Sequence, residues 1–212
     1  MYNHYKTFQN IILELSKLSS GKSQTKLPNG KFVRPNELGD LFEFDVPKMM
    51  FGDKLVKSTK EDDIERHIDW HMDEKTYDFK APKRKHNKFQ QGEILVEFTN
   101  VNGKKGWLFG EEDYLMIGYI IDDEFYYLKY NTTILADYVI GMYMDGALKF
   151  EDSREDRDDV FAWIVPPGLE GGLVDVYRIS EFVDEALHQK REEKFHIIET
   201  LNKERNENRQ AS

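Results

Sequence analysis

The sequence predicts a single α/β or α+β domain built on one central sheet. Helix-like and strand-like stretches follow one another in mixed order along 212 residues, a length that suits one domain. Fourteen Phe, 11 Tyr and 3 Trp supply large side chains for a core, although 33% of the residues are charged. These observations exclude wholesale disorder and favour a folded domain over residues 1–200.

Helices are predicted near both ends of the chain and once in its interior. Apolar residues follow helical spacing over 4–18, and Ser180 caps a helix expected over 180–201. The stretch 132–144 has a helical pattern as well. The polar residues 202–212 are expected to form a flexible tail. The core of the domain is therefore placed at about 58–180.

Strands are predicted where apolar and β-branched runs are bounded by turn residues. A Ser58-Thr59-Lys60-Glu61 capping box opens a helical segment, and a hairpin of 68–72 and 76–80 follows it. The acidic run 151–159 is most simply a solvated loop. The remaining predicted strands are 93–99, 114–121, 125–130, 160–165 and 173–179.

Composition removes several classes of function. The chain has no cysteine, which excludes disulfide scaffolds, thiolate zinc sites, iron–sulfur clusters and a cysteine nucleophile. The net charge of −10 argues against a protein that coats nucleic acid uniformly, but it permits a local basic patch. No run approaches the roughly 20 apolar residues of a membrane span, and no signal segment is evident. A cytoplasmic protein is therefore expected.

Two acidic residues stand inside apolar strand-like stretches, Asp78 in Tyr-Asp-Phe and Glu97 in Val-Glu-Phe. A buried carboxylate costs several kcal/mol unless it is paired or ligated. If the two strands are neighbours, both carboxylates can converge on Mg²⁺ or Mn²⁺, which prefer oxygen ligands. The alternative is a half-exposed antiparallel strand in which Glu97 and Thr99 face solvent.

Motifs in this region occur in a recognisable order: Asp63-x-x-x-His67-x-Asp69, then Tyr77-Asp78-Phe79-Lys80, then a glycine–tryptophan segment within 95–114. Over about 58–130 the chain resembles the PD-(D/E)XK nuclease superfamily, and most closely its phage-encoded members. The resemblance implies a restriction-endonuclease-like core, with a central mixed sheet flanked by helices. It also implies a divalent metal and DNA hydrolysis by an endonuclease or a resolvase-like enzyme in the host-cell cytoplasm.

Two registers of the motif fit the sequence. In the first, Asp78 and Glu97 are the two acids, and Thr99 stands where the lysine is expected. In the second, Asp69 is the first acid and Asp78-Phe79-Lys80 is the second element with its lysine intact. The first register is favoured by the order of segments after Glu97, with Lys80 supplying the ammonium that stabilises the transition state.

The resemblance thus implies Asp69, Asp78 and Glu97 as metal ligands, with Lys80 and Thr99 completing the catalytic set. Two alternatives to an active nuclease stay open, and the uncharged Thr99 favours the first of them. One is a catalytically inactive binding or accessory protein of the same fold. The other is an acidic interaction protein that blocks a host factor, which the charge of −10 would suit.

A basic segment beside these acids predicts contact with a DNA backbone. The alternative for this segment is a solvated loop. Trp107 could stack on a base, although such a tryptophan is more often a core or hairpin residue. A homodimer or a protein partner is compatible with the sequence. The residues predicted to bind nucleic acid are Lys83, Arg84, Lys85, Lys88, Lys104, Lys105 and Trp107.

Overall fold

A computed structural model describes residues 25–26, 32–33, 35–85, 88–89, 91–100, 102–148, 150–152 and 160–210. The helix predicted at 4–18 and most of the acidic run 151–159 lie outside the described residues. The helices are α1 (Pro35–Asp40), α2 (Val46–Phe51), α3 (Thr132–Met144) and α4 (Ser180–Gln210). Strands run as β1 (Thr25–Lys26), β2 (Phe32–Val33), β3 (Val56–Lys57), β4 (Trp70–Met72), β5 (Lys75–Lys80), β6 (Arg84–Lys85), β7 (Lys88–Phe89), β8 (Ile94–Thr99), β9 (Tyr114–Ile121), β10 (Glu124–Asn131), β11 (Glu151–Asp152), β12 (Val160–Ile164) and β13 (Leu173–Arg178).

The largest sheet has six strands in the order β13-β10-β9-β5-β4-β3. Strands β3, β4 and β5 form an antiparallel meander, β5 pairs in parallel with β9, and β9, β10 and β13 are antiparallel. The sheet is therefore mixed, as predicted. The parallel pair sets Tyr77 opposite Tyr114 and Asp78 opposite Leu115.

The prediction of one central sheet was wrong, because β8 does not join the six-stranded sheet. It pairs with β12 in a three-stranded sheet of order β11-β12-β8. The described residues also include two short two-stranded ribbons, β1-β2 and β6-β7. Apolar alternation shows that a segment is a strand but not which strand it will join, since that choice depends on contacts distant in sequence.

Strand β9 lies between two apolar layers. Met116 and Ile120 pack into a cluster with α1, α2 and the first turns of α4. Leu115 and Ile117, on the opposite face, pack with β8, β12 and α3. Alternate residues of a strand point to opposite faces, which explains why Tyr114–Ile121 is apolar almost throughout. At β9 the six-stranded sheet is thus covered on both faces.

Two helical regions differ from the sequence prediction. Helix α4 continues to Gln210, nine residues past the predicted end at 201, because 202–210 contain neither Gly nor Pro and are rich in Glu, Lys, Arg and Gln. The helical region 35–51 was not predicted. Helix α1 passes into α2 through a π-helical stretch, Leu41–Asp45. The predicted hairpin, the strands from 93 to 179 and helix 132–144 are present with small shifts at their ends.

Candidate active site

The β4–β5 hairpin brings Asp69, Asp78 and Lys80 together. Asp69 directly precedes β4, and its backbone N–H donates to the Tyr77 carbonyl (2.9 Å). Its Oδ2 accepts a hydrogen bond from the Phe79 N–H (3.2 Å). Asp78 and Lys80 lie two residues apart on one face of β5, while the Phe79 side chain between them enters the core. The hairpin thus holds the Asp69 carboxylate beside β5, the strand that carries Asp78-Phe79-Lys80.

Asp78 is fully buried and pairs with Lys80, whose Nζ lies 2.7 Å from Oδ1. Burial raises the pKa of Asp78 well above its ordinary value, against the opposing effect of the Lys80 charge. Burial acts to lower the pKa of Lys80, but the nearby Asp78 and Asp69 carboxylates raise it overall. Lys80 therefore stays charged.

The contact between Asp69 and Asp78 depends on a shared proton. Two ionised carboxylates have no proton to share, and both Asp78 oxygens then have no hydrogen-bond partner beyond the Lys80 ion pair. A proton on Asp78 can be donated to Asp69. That arrangement agrees with the two pKa shifts. Burial raises the pKa of Asp78, whereas the pKa of Asp69 is lowered, despite its burial, by Lys80 and by the Asp78 hydrogen bond.

Lys57 and Asp63 form the solvent side of this cluster. The Lys57 Nζ lies 3.6 Å from Asp69 Oδ1 and 3.8 Å from Asp63 Oδ2. Burial and the charge of Asp69 raise the pKa of Asp63, which stands on a second π-helical stretch, Asp62–Arg66. Short π-helical stretches occur frequently at functional sites.

Glu43 was missed by the sequence analysis. Burial raises its pKa, and Lys80 and Lys83 act against that shift. The Trp70 indole N–H donates to the Glu43 carbonyl (2.9 Å), which ties the π-helical stretch Leu41–Asp45 to the hairpin. The helical spacing of Leu38, Leu41 and Phe42, all buried, was the signal that could have located this region.

Glu112 was missed as well, and no local signal marks it, because Glu111 and Asp113 make the segment resemble an exposed turn. Its side chain is only 4% exposed, and burial raises its pKa to about 8. The Thr132 hydroxyl acts to lower that pKa, yet neither Glu112 oxygen meets the geometry of a hydrogen bond. A Cβ at Gly110 would overlap the Glu112 carboxylate, so Gly110 provides the space for it.

The cluster has more acids than bases. Five carboxyl groups influence one another's pKa through the cluster, whereas two lysines, Lys57 and Lys80, form ion pairs inside it. An uncompensated buried charge is costly, so the cluster must retain protons or bind a cation. The carboxyl groups are Glu43, Asp63, Asp69, Asp78 and Glu112.

The oxygen ligands present fit a cation site that uses only one or two carboxylates from the protein. In the described part of the chain, no three His, Asp or Glu side chains are arranged to hold a metal ion together. Mg²⁺ is commonly bound through one or two carboxylates, with water and substrate phosphate completing its shell. Asp69, together with Asp78 Oδ2, which has no hydrogen-bond partner, matches that smaller requirement.

Glu97 and Thr99 lie on a strand that does not pair with β5. Both lie on β8 in the three-stranded sheet, whereas the sheet neighbours of β5 are β4 and β9. Thr99 Oγ1 accepts a hydrogen bond from the Val160 N–H (2.9 Å). The arrangement that the first register needs, with Asp78 and Glu97 on neighbouring strands, is therefore not the one observed.

The predicted basic residues are found in two places near the cluster. Lys83 is exposed after β5, and its charge acts on Glu43. Lys104 and Lys105 are exposed on a turn that contacts the loop before β4, since His67 Nε2 lies 3.2 Å from the Lys105 carbonyl. Arg84 is half-buried, and the side chains of Lys85 and Lys88 lie outside the described residues.

Trp107 requires a correction. It begins a short 3₁₀ turn, Trp107–Phe109, and is only 4% exposed within the apolar cluster of β8, β12 and α3. Its ring is enclosed by core side chains, so in this structure it cannot stack on a base. The turn that carries it is held by the Gly106 N–H, which donates to the Phe98 carbonyl (2.8 Å).

Comparison with known proteins returned no relative: no family model, no curated protein and no solved structure matches this chain. Within the described residues, none of the helices combines the length and apolarity required to cross a bilayer.

Proposed function

We propose that the chain is a Mg²⁺- or Mn²⁺-dependent DNA endonuclease or resolvase-like phosphodiester hydrolase of the PD-(D/E)XK type. The convergence of Asp69, Asp78 and Lys80 on the β4–β5 hairpin carries the proposal. This set is the second register of the motif, in which the lysine is intact. A phage origin remains part of the proposal through the resemblance alone.

Each residue of the hairpin has a role in this proposal. Asp69, oriented by the Phe79 N–H, and Asp78 would hold the cation. When bound, a divalent cation activates a water molecule and offsets phosphate charge. The Lys80 ammonium would orient the attacking water and stabilise negative charge that develops on the phosphate. Glu43, beside Lys80, would help to keep that lysine protonated.

Positive side chains near the cluster support a DNA substrate. Lys83 lies on one side, and Lys104 and Lys105 lie on the turn that contacts His67. Exposed lysines at these places can bind phosphates on either side of a scissile bond. They would provide a local contact for DNA despite the net charge of −10.

The test is cleavage of supercoiled, linear and branched DNA with Mg²⁺ or Mn²⁺. We expect Asp69→Asn and Lys80→Met each to reduce the rate by about 100-fold or more, since each removes a group that acts on the reacting phosphate. Glu97→Gln is the matched control and should cleave like the wild type. All variants should show the circular dichroism and cooperative melting of a folded chain.

Absence of metal-dependent cleavage by the wild type on all three substrates would rule the nuclease out. If Glu97→Gln lost cleavage and Lys80→Met kept it, the first register, with Asp78 and Glu97 as the two acids, would be favoured instead. A variant that melts without cooperativity is replaced by Asp69→Glu, which keeps the charge but shifts the carboxylate.

The complete burial of Asp78 favours a second candidate, a catalytically inactive binding or accessory protein of the same fold. In that case the Asp78–Lys80 pair would stabilise the hairpin alone. DNA binding that is unchanged by Asp69→Asn, together with no cleavage under any metal condition, would identify this candidate.

A further inference from the structure

Lys57 forms ion pairs with two carboxylates of the cluster, Asp63 and Asp69, on its solvent side. Its Nζ stands between Asp69 Oδ1 (3.6 Å) and Asp63 Oδ2 (3.8 Å). The side chains of Lys57, Asp63 and Asp69 are 35%, 42% and 9% exposed, whereas that of Asp78 is 1% exposed. A cation that enters from solvent therefore meets Asp63 and Lys57 before it reaches Asp69.

The Lys57 ammonium also has a second set of partners. It lies 4.3 Å from the centroid of the Phe44 ring and 5.0 Å from that of the Trp70 ring. Aromatic faces attract an ammonium within about 6 Å. Lys57 can thus leave the carboxylates without becoming unpartnered, because both rings remain beside it.

The strand that carries Lys57 is suited to such a movement. Strand β3 has two residues, lies at the edge of the six-stranded sheet and pairs with β4 alone. Asp69 is held independently, since its Oδ2 accepts from the Phe79 N–H and its backbone N–H donates to Tyr77. Displacement of Lys57 would leave the Asp69 carboxylate in place.

We propose that Lys57 is a built-in counter-ion of the site, which a divalent cation must displace from Asp69 and Asp63 in order to bind. Asp78 Oδ2, which is buried and has no hydrogen-bond partner, indicates where the cation would find its inner ligand. The inference deepens the proposed function, on which it rests only in taking Asp69 as a cation ligand. Lys57 is a positioning residue and is not assigned to the chemical step.

The experiment measures Mn²⁺ binding by electron paramagnetic resonance on the full chain without DNA, at about pH 8, where carboxylates outside deep burial are ionised. Lys57→Gln should bind Mn²⁺ about three- to tenfold more tightly, because a competing half-exposed cation has been removed. Lys57→Arg, which keeps the charge, should bind like the wild type. Lys60→Gln, at an exposed lysine that begins the helical stretch after β3, is the matched control and should cause no change.

Equal or weaker Mn²⁺ binding by folded Lys57→Gln would overturn the inference, as would absence of Mn²⁺ binding from both wild type and variant. Tighter binding by Lys57→Gln that Asp69→Asn abolishes in the double variant would support it. DNA cleavage is scored separately. If Lys57→Gln binds Mn²⁺ more tightly but no DNA cleavage is seen, the counter-ion role of Lys57 is supported and the nuclease function is ruled out. If DNA is cleaved but Lys57→Gln binds Mn²⁺ like the wild type, the nuclease function is supported and the counter-ion role is ruled out.

Discussion

Glu112 shows most directly how burial alters a single carboxyl group in this protein. It is 4% exposed, its oxygens have no hydrogen-bond partner, and its pKa is raised to about 8 because its charged form is desolvated. An unfolded chain would ionise the same group near pH 4.5. Between these two values the folded state binds more protons than the unfolded state, so rising pH destabilises the fold.

We expect Glu112→Gln to remove this pH dependence. The free energy of unfolding of the wild type should fall relative to that of the variant from about pH 5 to pH 8, by on the order of a few kcal/mol. The amide has nearly the same shape and cannot ionise. Urea denaturation at several pH values gives the comparison.

The exposed Glu65 provides the control for this measurement, because Glu65→Gln should follow the wild type across the pH range. A Glu112→Gln variant whose unfolding free energy runs parallel to that of the wild type would show that Glu112 is ionised in the folded protein. It would then need a cationic partner other than those described.

Strand β9 packs closely against the end of β5. Gly118 on β9 lies under the chain that leaves β5, where an added Cβ would stand 2.6 Å from the Pro82 nitrogen and 2.9 Å from the Lys80 carbonyl oxygen. Both neighbours are backbone atoms, and the proline ring limits their movement. The close approach helps to set the direction in which the chain leaves Lys80.

Gly118→Ala is therefore expected to destabilise the protein by ~2–3 kcal/mol, within the range for overpacking a core. Gly141, in α3, has nothing within 4 Å of an added Cβ. Gly141→Ala should raise stability by ~0.5–1 kcal/mol, because alanine has the better helix propensity. Chemical denaturation of both variants measures the contrast. A neutral or stabilising Gly118→Ala would contradict the close approach at Gly118.

Helices and strands differ in how far the sequence located them. The strand pattern of Tyr114–Ile121 and the helical pattern of Thr132–Met144 were visible, because their apolar residues repeat with the period of the element. The helical region carrying Glu43 was open to the same reasoning through Leu38, Leu41 and Phe42. Its π-helical stretch was not, since one additional residue per turn leaves no distinct pattern in a single sequence.

At the scale of the whole molecule, the net charge of −10 coexists with local positive side chains. Lys104 and Lys105 stand on a turn that the His67 contact holds beside the loop leading to Asp69. Burial lowers the pKa of His67, so at neutral pH its ring adds no charge to that of the two lysines. The positive charge at this turn therefore comes from the two lysines and not from His67.

We expect DNA binding to be strongly salt-dependent and to involve this turn. In Lys104→Gln/Lys105→Gln, affinity should fall at low salt, and the slope of log K against log salt should decrease by about 2, one for each lost phosphate contact. Fluorescence anisotropy with labelled duplex DNA in Ca²⁺ measures both. Lys54→Gln/Lys60→Gln has the same change in charge and should keep the wild-type slope. An unchanged slope in the turn variant would exclude these contacts.

The sequence by itself determined the composition of the core, most of the strands and the presence of acids within apolar stretches. Each of these depends on residues close together in the chain, so hydrophobic period and local turn chemistry are sufficient. Asp69, Asp78 and Lys80 were among the candidates for the same reason, since one hairpin contains all three.

Only the tertiary structure decided which strands lie beside β5. It pairs β5 with β9 instead of β8, and packing from distant segments adds Glu43 and Glu112 to the carboxylate cluster. Strand partners and the burial of a carboxyl group depend on contacts between residues far apart in the chain, which no local pattern encodes.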